Sequence, residues 1–276
     1  MKWEFDVGRF SKSQQKIADF AMKSEDRLLY FTEEEIAAHT GVSVATVSRF
    51  WRSIGYASFK ELKRVMQESR QATPARKMQQ LLDKLEQDDM MSGILAMNIA
   101  NLEETARRLS RSEFEQAVEA LCSARRIFAY GSGATAFLTD LLQFRLNRIG
   151  FDVRVMARSG HELYENLVHA GEEDIVVIFG FVRSSPEIQV ILSQAKEAGY
   201  KTLLITDLLV SEMIEACSIV LQVDRGEIEG FHTNAAPLAL VDGLAAAAAK
   251  RSGAAAMERL EQLHALRKRY VSMIPK

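Results

Sequence analysis

Two stretches of this chain carry residue types and spacings that could do recognition chemistry. In the first, Thr32 to Tyr56, a short helix capped by Ser43 would turn Ala45, Thr46, Ser48, Arg49 and Arg52 outward. Small hydroxyls and arginines are the side chains that meet base edges and phosphate oxygens. From Arg49 to Arg64 the bases are Arg49, Arg52, Lys60, Lys63 and Arg64, against Glu61 alone. This excess marks a phosphate-facing patch despite a formal charge of −2 for the whole chain, because distribution matters more than the sum. The bland alternative is an ordinary helical hairpin with a solvated face.

The second stretch is Ile127-Phe128-Ala129-Tyr130-Gly131-Ser132-Gly133-Ala134-Thr135-Ala136, an apolar run ending in a glycine-rich turn that opens a helix. Bare amides at a helix N-terminus form a ready anion site, and the crevice beyond strand ends is where such sheets bind ligands. The motif also fits G-x-G-x-x-A, a dinucleotide fingerprint. That reading wants an acid after the second strand for the ribose, and Ala157-Arg158 stand there instead. That leaves only a phosphorylated-ribose variant of the dinucleotide site, and a plain tight turn with no ligand is a further alternative. For catalysis, Glu187, Glu227, Glu229 and His232 are the candidate general bases, and a solvated loop is the simpler explanation of the last three. His161 and His169 lack the carboxylates of a metal site, and no serine elbow or P-loop is present. No metal or cofactor is called for.

The elements that must position these residues are legible in the periodicity. Ser11 with Gln14 and Thr32 with Glu35 have capping-box spacing, and Gly41 falls where a first helix must end left-handed. On the next helix Val47, Phe50 or Trp51, and Ile54 recur at helical intervals, and Gly55 stops it. Ser58 with Glu61 predicts a further capped helix. Residues 1 to about 72 thus form an all-helical unit, with Gln71-Ala72-Thr73-Pro74 as its boundary. A helical pattern runs from Ala75 to about Leu109, interrupted near Asp88-Asp89. From Ser112, capped with Glu115, the rhythm changes. Strands are predicted at Arg126–Tyr130, Asp152–Met156, Asp174–Phe181, Thr202–Asp207 and Ile219–Val223. Helices lie between them at about 134–149, 160–169, 186–198 and 211–216, then 234–250, and a basic last helix spans Ala254 to about Tyr270. Alternating strands and helices mean a parallel sheet covered on both faces. Gly150, Gly171 and Gly199 stand where helices should end.

At 276 residues with 47% hydrophobic content, the chain can hold about two packed domains. No apolar run is long enough to span a membrane, MKWEFDVGRF lacks a secretory stretch, and Cys122 and Cys217 are too few for a disulfide framework. A cytoplasmic protein is expected.

As a whole, FSKSQQKIADF, EIAAHTGVSVATVSRFWRSIGYASFKELK, IFAYGSGATA and LALVDGL resemble the RpiR/MurR family of bacterial transcriptional regulators. Ala37, Gly41 and Val47 occupy that motif's packing positions. The resemblance implies a helix-turn-helix DNA-binding domain over 1–74, a connecting helical segment over 75–110, and a SIS (sugar-isomerase-type) effector domain with a five-stranded parallel sheet over 111–276. It also implies no catalysis, an operator DNA partner and a phosphosugar effector. Two copies on a palindromic site are expected, because one such motif reads few base pairs, so a homodimer or homotetramer follows. Carried over by position, Gly131, Ser132, Gly133 and Thr135 would serve the effector, as would Thr233. The family's third-strand loop, Ser-x-Ser-Gly-x-Thr, reads here Val182-Arg183-Ser184-Ser185-Pro186-Glu187. Ser184 survives, but Val182 replaces a serine and Glu187 the threonine. A carboxylate at a helix N-terminus competes with phosphate for its amides, whereas Arg183 could offset that charge or hold a carboxylate. Two alternatives therefore stay open: a regulator sensing a sugar acid or other carboxylate, and an isomerase-like enzyme.

Overall fold

The computed structural model describes residues 10–24, 28–70, 74–85, 89–181, 183–227 and 230–274. They form two compact units. One holds the described residues up to Met90 with the short stretches Leu209–Glu212 and Glu227–His232, and the other holds the remainder.

The first unit consists of helices α1 (Lys12–Lys23), α2 (Glu33–Thr40), α3 (Val44–Ser53), α4 (Phe59–Arg70) and α5 (Pro74–Lys84), with a 3-10 turn at Leu28–Tyr30. Both predicted capping boxes form, at Ser11 with Gln14 and at Thr32 with Glu35. The third is half made: Ser58 accepts from the Glu61 amide, but the Glu61 carboxylate takes the Ala57 amide instead. Gly41 ends α2 at φ 68°, and its N–H reaches the Ala37 carbonyl at 2.9 Å. This tight exit lets α3 pack on α1 and α2. Phe50 and Trp51 are both fully buried, so the choice between them does not arise: α3 is covered by α1 and α2 and also by α4, where Trp51 stacks on Phe59 at 5.0 Å. The core is completed by Ile17, Ile36, Ala37, Val47 and Leu62.

The second unit runs α6 (Met90–Arg108), α7 (Arg111–Ser123), β1 (Ile127–Tyr130), α8 (Ala136–Asn147), β2 (Val153–Val155), α9 (Glu162–Leu167), β3 (Ile175–Phe179), α10 (Pro186–Ala198), β4 (Lys201–Thr206), α11 (Glu212–Ala216), β5 (Ile219–Gln222), α12 (Ala235–Ser252) and α13 (Ala254–Arg269). The strands are parallel in the order β2-β1-β3-β4-β5. Alternation along a strand sends successive side chains to opposite faces. Ile175, Val177 and Phe179 join the core under α7, α8 and α12, and Val176 and Ile178 join the one under α9 and α10. The chain leaves β1 for β2 on one side and then crosses to β3 on the other. The order therefore reverses between β1 and β3, which is where a doubly wound sheet opens a crevice at its carboxyl edge. That edge is called the crest below.

Several boundaries differ from the sequence reading, each for a local reason. Helix α7 is capped by Ser110, whose hydroxyl accepts from the Glu113 amide, not by Ser112. The same serine-to-glutamate spacing occurs there two residues earlier, and Glu115 pairs with Arg111 instead. Gly171 is not left-handed; its N–H goes to the Asp174 carboxylate at 3.0 Å. Strand β3 stops at Phe179, two residues early. Gly180 follows, where an added Cβ would lie 2.9 Å from Leu204 Cδ1. The helix after β1 opens with a 3-10 turn at Gly133–Thr135, so α8 proper begins at Ala136.

Candidate functional site

The first face belongs to α3. Ser43 caps the helix by accepting from the Thr46 amide at 3.2 Å, and the two hydroxyls share a hydrogen bond of 2.8 Å. Arg49 is exposed and donates from Nη2 to Thr46 Oγ1 at 3.5 Å. A serine cap thus fixes a threonine, which in turn leans on an arginine, all within the first turns of one helix. Ala45 is exposed and Ser48 half-buried beside them. Arg52 bends back, its Nε reaching the Ala57 carbonyl at 3.4 Å. On α4, Lys60 is exposed and Lys63 places its ammonium over the face of the Phe59 ring, 4.7 Å from its centre, a cation–π contact.

The second face is the crest of the sheet. Gly131 ends β1 in a close approach: an added Cβ would stand 3.2 Å from the Thr135 carbonyl oxygen and 3.1 Å from Thr139 Cγ2. Gly131→Ala is therefore expected to cost about 1–3 kcal/mol through backbone shifts, read as a lower midpoint in thermal unfolding of the second unit. Gly133 has φ 59°. Ser132 is exposed, whereas Thr135 is buried and its hydroxyl donates back to the Ser132 carbonyl at 3.0 Å. Ser185 caps α10 by accepting from the Ile188 amide. Ser184 and Glu187 are half-buried, and Arg183 is exposed. The Ser185 hydroxyl and the residue's own amide both hydrogen-bond the Glu187 carboxylate and hold it below the usual carboxylate range. Val182 lies outside the described residues. Thr233, buried before α12, accepts from the Ala235 amide at 3.4 Å.

Tyr130 was missed by the sequence reading. It is the last residue of β1 and reads as strand core, yet its hydroxyl donates to the Arg158 carbonyl at 3.2 Å. Burial raises its pKa, opposed by hydrogen bonds with Ser185 and Ser132, while Glu187 adds to the rise. The Tyr130 hydroxyl thus lies near both the turn after β1 and the cap of α10. Two further residues, Asp207 and Arg225, complete the polar edge at the ends of β4 and β5. Of the candidate bases elsewhere, Glu227 is exposed and paired with Lys84, and Glu229 lies outside the described residues.

A helix-turn-helix exposing arginines beside a half-buried threonine, and an α/β domain with a polar crest at its switch point, fit a DNA-binding transcriptional regulator with a sugar-isomerase-type domain, and the matches to known proteins bear this out. Residues 6–73 match the helix-turn-helix domain of the rpiR family, and residues 120–247 match the SIS domain. A helix-turn-helix transcriptional regulator of Haemophilus influenzae, itself uncharacterized, is 31% identical over 216 residues, covering 76% of this chain and 74% of that one. The chain belongs to the rpiR family of transcriptional regulators. The SIS domain of an RpiR transcription factor from Sphaerobacter thermophilus is similar in fold, with TM-score 0.60 at 24% identity over 64% of this chain and 98% of that one. So is the NanR protein of Vibrio vulnificus, solved in complex with ManNAc-6P, with TM-score 0.61 at 18% identity over 98% of this chain and 97% of that one.

Proposed function

We propose that this protein is a cytoplasmic, non-enzymatic regulator whose residues 1–74 read an operator and whose residues 111–276 sense a small anionic metabolite, a phosphorylated sugar, with 75–110 connecting them. The observation that carries the effector reading is the pair of hydroxyl-bearing loops flanking the β1/β3 switch point, Gly131–Thr135 and Ser184–Ser185. NanR, a protein of the same overall fold, holds a phosphosugar in its own structure, which supports the same ligand class. Ser43, Ala45, Thr46, Ser48 and Arg49 face the DNA groove, and Arg52, Lys60 and Lys63 face phosphates. The protein acts as a homodimer or homotetramer. Met91, Leu95, Ile99 and Leu102 are exposed at helical spacing along α6, an apolar stripe of the kind that pairs with another protein surface. Effector binding shifts the population of DNA-competent assemblies by its differential affinity for the two states.

Glu187 sets the terms of the effector site. Its carboxylate lies against the Ser185 hydroxyl and its own amide in the first turn of α10, groups of the kind a phosphate would use. Glu187→Thr is therefore expected to tighten binding of glucose 6-phosphate about tenfold, since it removes a like charge from beside the anion. Calorimetric titration of both proteins checks this, and equal affinities would place the phosphate elsewhere. The occupied amide also favours a second reading, a sugar acid held by Arg183. A thermal-shift response to gluconate without one to glucose 6-phosphate would select it. Turnover of glucose 6-phosphate in the same incubations would overturn the non-enzymatic reading.

A further inference from the structure

The crest holds a second polar cluster, apart from the loops at the switch point. Arg225, three residues past β5, is 5% exposed. Its guanidinium covers the Phe181 ring at 4.2 Å, and its Nε donates to the Thr233 carbonyl at 3.2 Å. Nη1 stands 3.7 Å from Asp207 Oδ2, beyond a hydrogen bond. Asp207 directly follows β4, and its other oxygen, Oδ1, is buried with no hydrogen-bond partner among the described residues. Along the same edge Asn234 donates from Nδ2 to the Ala134 carbonyl in the turn after β1, at 3.3 Å. Its own Oδ1 is likewise buried without a partner among the described residues.

As a purely structural ion pair this is a poor design. Burial depresses the Arg225 pKa, and Asp207 only opposes that effect. A buried pair offsets its desolvation when contact is direct and the remaining lone pairs are satisfied, and here neither condition is met. Groups left this way at a ligand-binding edge are poised to bond something else. The available chemistry is specific: a guanidinium donor beside a carboxylate acceptor suits a hydroxyl group, which can accept from one and donate to the other. The cluster is also placed to cooperate with the anion loops. Strands β1, β3 and β4 are neighbours, so the ends of β1 and β4 lie roughly 10 Å apart at the usual strand spacing.

We propose that Asp207, Arg225 and Asn234 form the polyol-binding part of the effector site, with a sugar hydroxyl seated between the Asp207 carboxylate and the Arg225 guanidinium. This rests on the reading of the crest as an effector site and adds what selects the body of the ligand, as distinct from its anionic end. The test pairs each anion with a hydroxyl-free counterpart: glucose 6-phosphate with ethyl phosphate, and gluconate with propionate, titrated calorimetrically into the full-length protein. The hydroxylated member of the binding pair should win by about tenfold or more, as expected for hydrogen bonds to charged groups. Asp207→Asn should erase that preference while leaving the hydroxyl-free anion unaffected. Arg225→Lys should reduce it too, and carries the comparison alone should the first variant fail to fold. A preference that survives in the folded Asp207→Asn protein, or that the unaltered protein lacks, overturns the inference. Silence of both phosphates with gluconate still ahead of propionate would sink the phosphosugar reading but support the polyol station. Silence of all four would overturn both.

Discussion

Arg49→Ala is expected to weaken binding to the specific operator by roughly 10- to 100-fold for each half-site, since a good arginine–base contact is worth about 1–3 kcal/mol. Two copies engaged on one palindromic site would lose it twice. Arg49 leans on Thr46 at 3.5 Å, and Thr46 is tied to the cap residue Ser43, a weak tether that keeps the guanidinium beside the first turns of α3. Nothing in the core depends on it: the apolar face of α3 is Val47, Phe50 and Trp51, and thermal stability should change by no more than about 0.5 kcal/mol. A contrast separates reading from attraction. Lys60→Ala should weaken all sequences alike and flatten the salt dependence, as a phosphate contact does, whereas Arg49→Ala should relax the base preference. The operator would first be selected from a random duplex pool, then both variants titrated by fluorescence anisotropy at several salt concentrations. Unchanged affinity of Arg49→Ala at physiological salt would remove it from the groove.

The helix-turn-helix could be read from the chain because its determinants are local. Gly41 must be left-handed, Thr32 and Glu35 cap one helix, Ser43 caps the next, and each relation spans four residues or fewer. Where local signals competed, the reading slipped. Ser110 with Glu113 and Ser112 with Glu115 are equivalent caps in sequence, and the fold takes the first, leaving Glu115 to pair with Arg111. Gly171 looked like a helix stop, but it serves a carboxylate three residues on. The parallel sheet was legible from alternation, and the turns after β1 and before α10 from their glycines and hydroxyls. Asp207 and Arg225 were not, because nothing near either in sequence marks it. They meet each other and Phe181 only after three strand ends are brought side by side. Tyr130 was hidden differently: its ring is core, and only the hydroxyl reaches the crest.

Asp174→Ala is expected to destabilise the second unit by about 1.5–3 kcal/mol, the range for hydrogen bonds to a charged group, because the arginines it leaves behind reach water and can rehydrate. Its carboxylate is fully buried and accepts from Arg125 at 2.9 Å, from Arg126 at 3.2 Å and from the Gly171 amide at 3.0 Å. These bonds fasten the start of β1 to the start of β3, at the sheet edge opposite the crest. Burial alone would raise the Asp174 pKa, but Arg125, the Gly171 amide and Arg126 together outweigh it and hold the carboxyl below its ordinary value. The folded pKa is therefore below the unfolded one. The stability this group contributes is present in full above the unfolded value, about 3.9, and is lost as pH falls through the folded one. Unfolding in urea at pH 7 should show the whole difference between the parent and the variant, and the gap should narrow at pH values below about 4. Asp174→Asn keeps the shape without the charge and isolates the electrostatic part, so its gap should close in the same window. A gap that stays constant down to pH 3 would mean that Asp174 holds the edge by packing alone. Effector titrations are the internal control, because a clamp at the far edge should alter stability while leaving crest affinity at neutral pH unchanged.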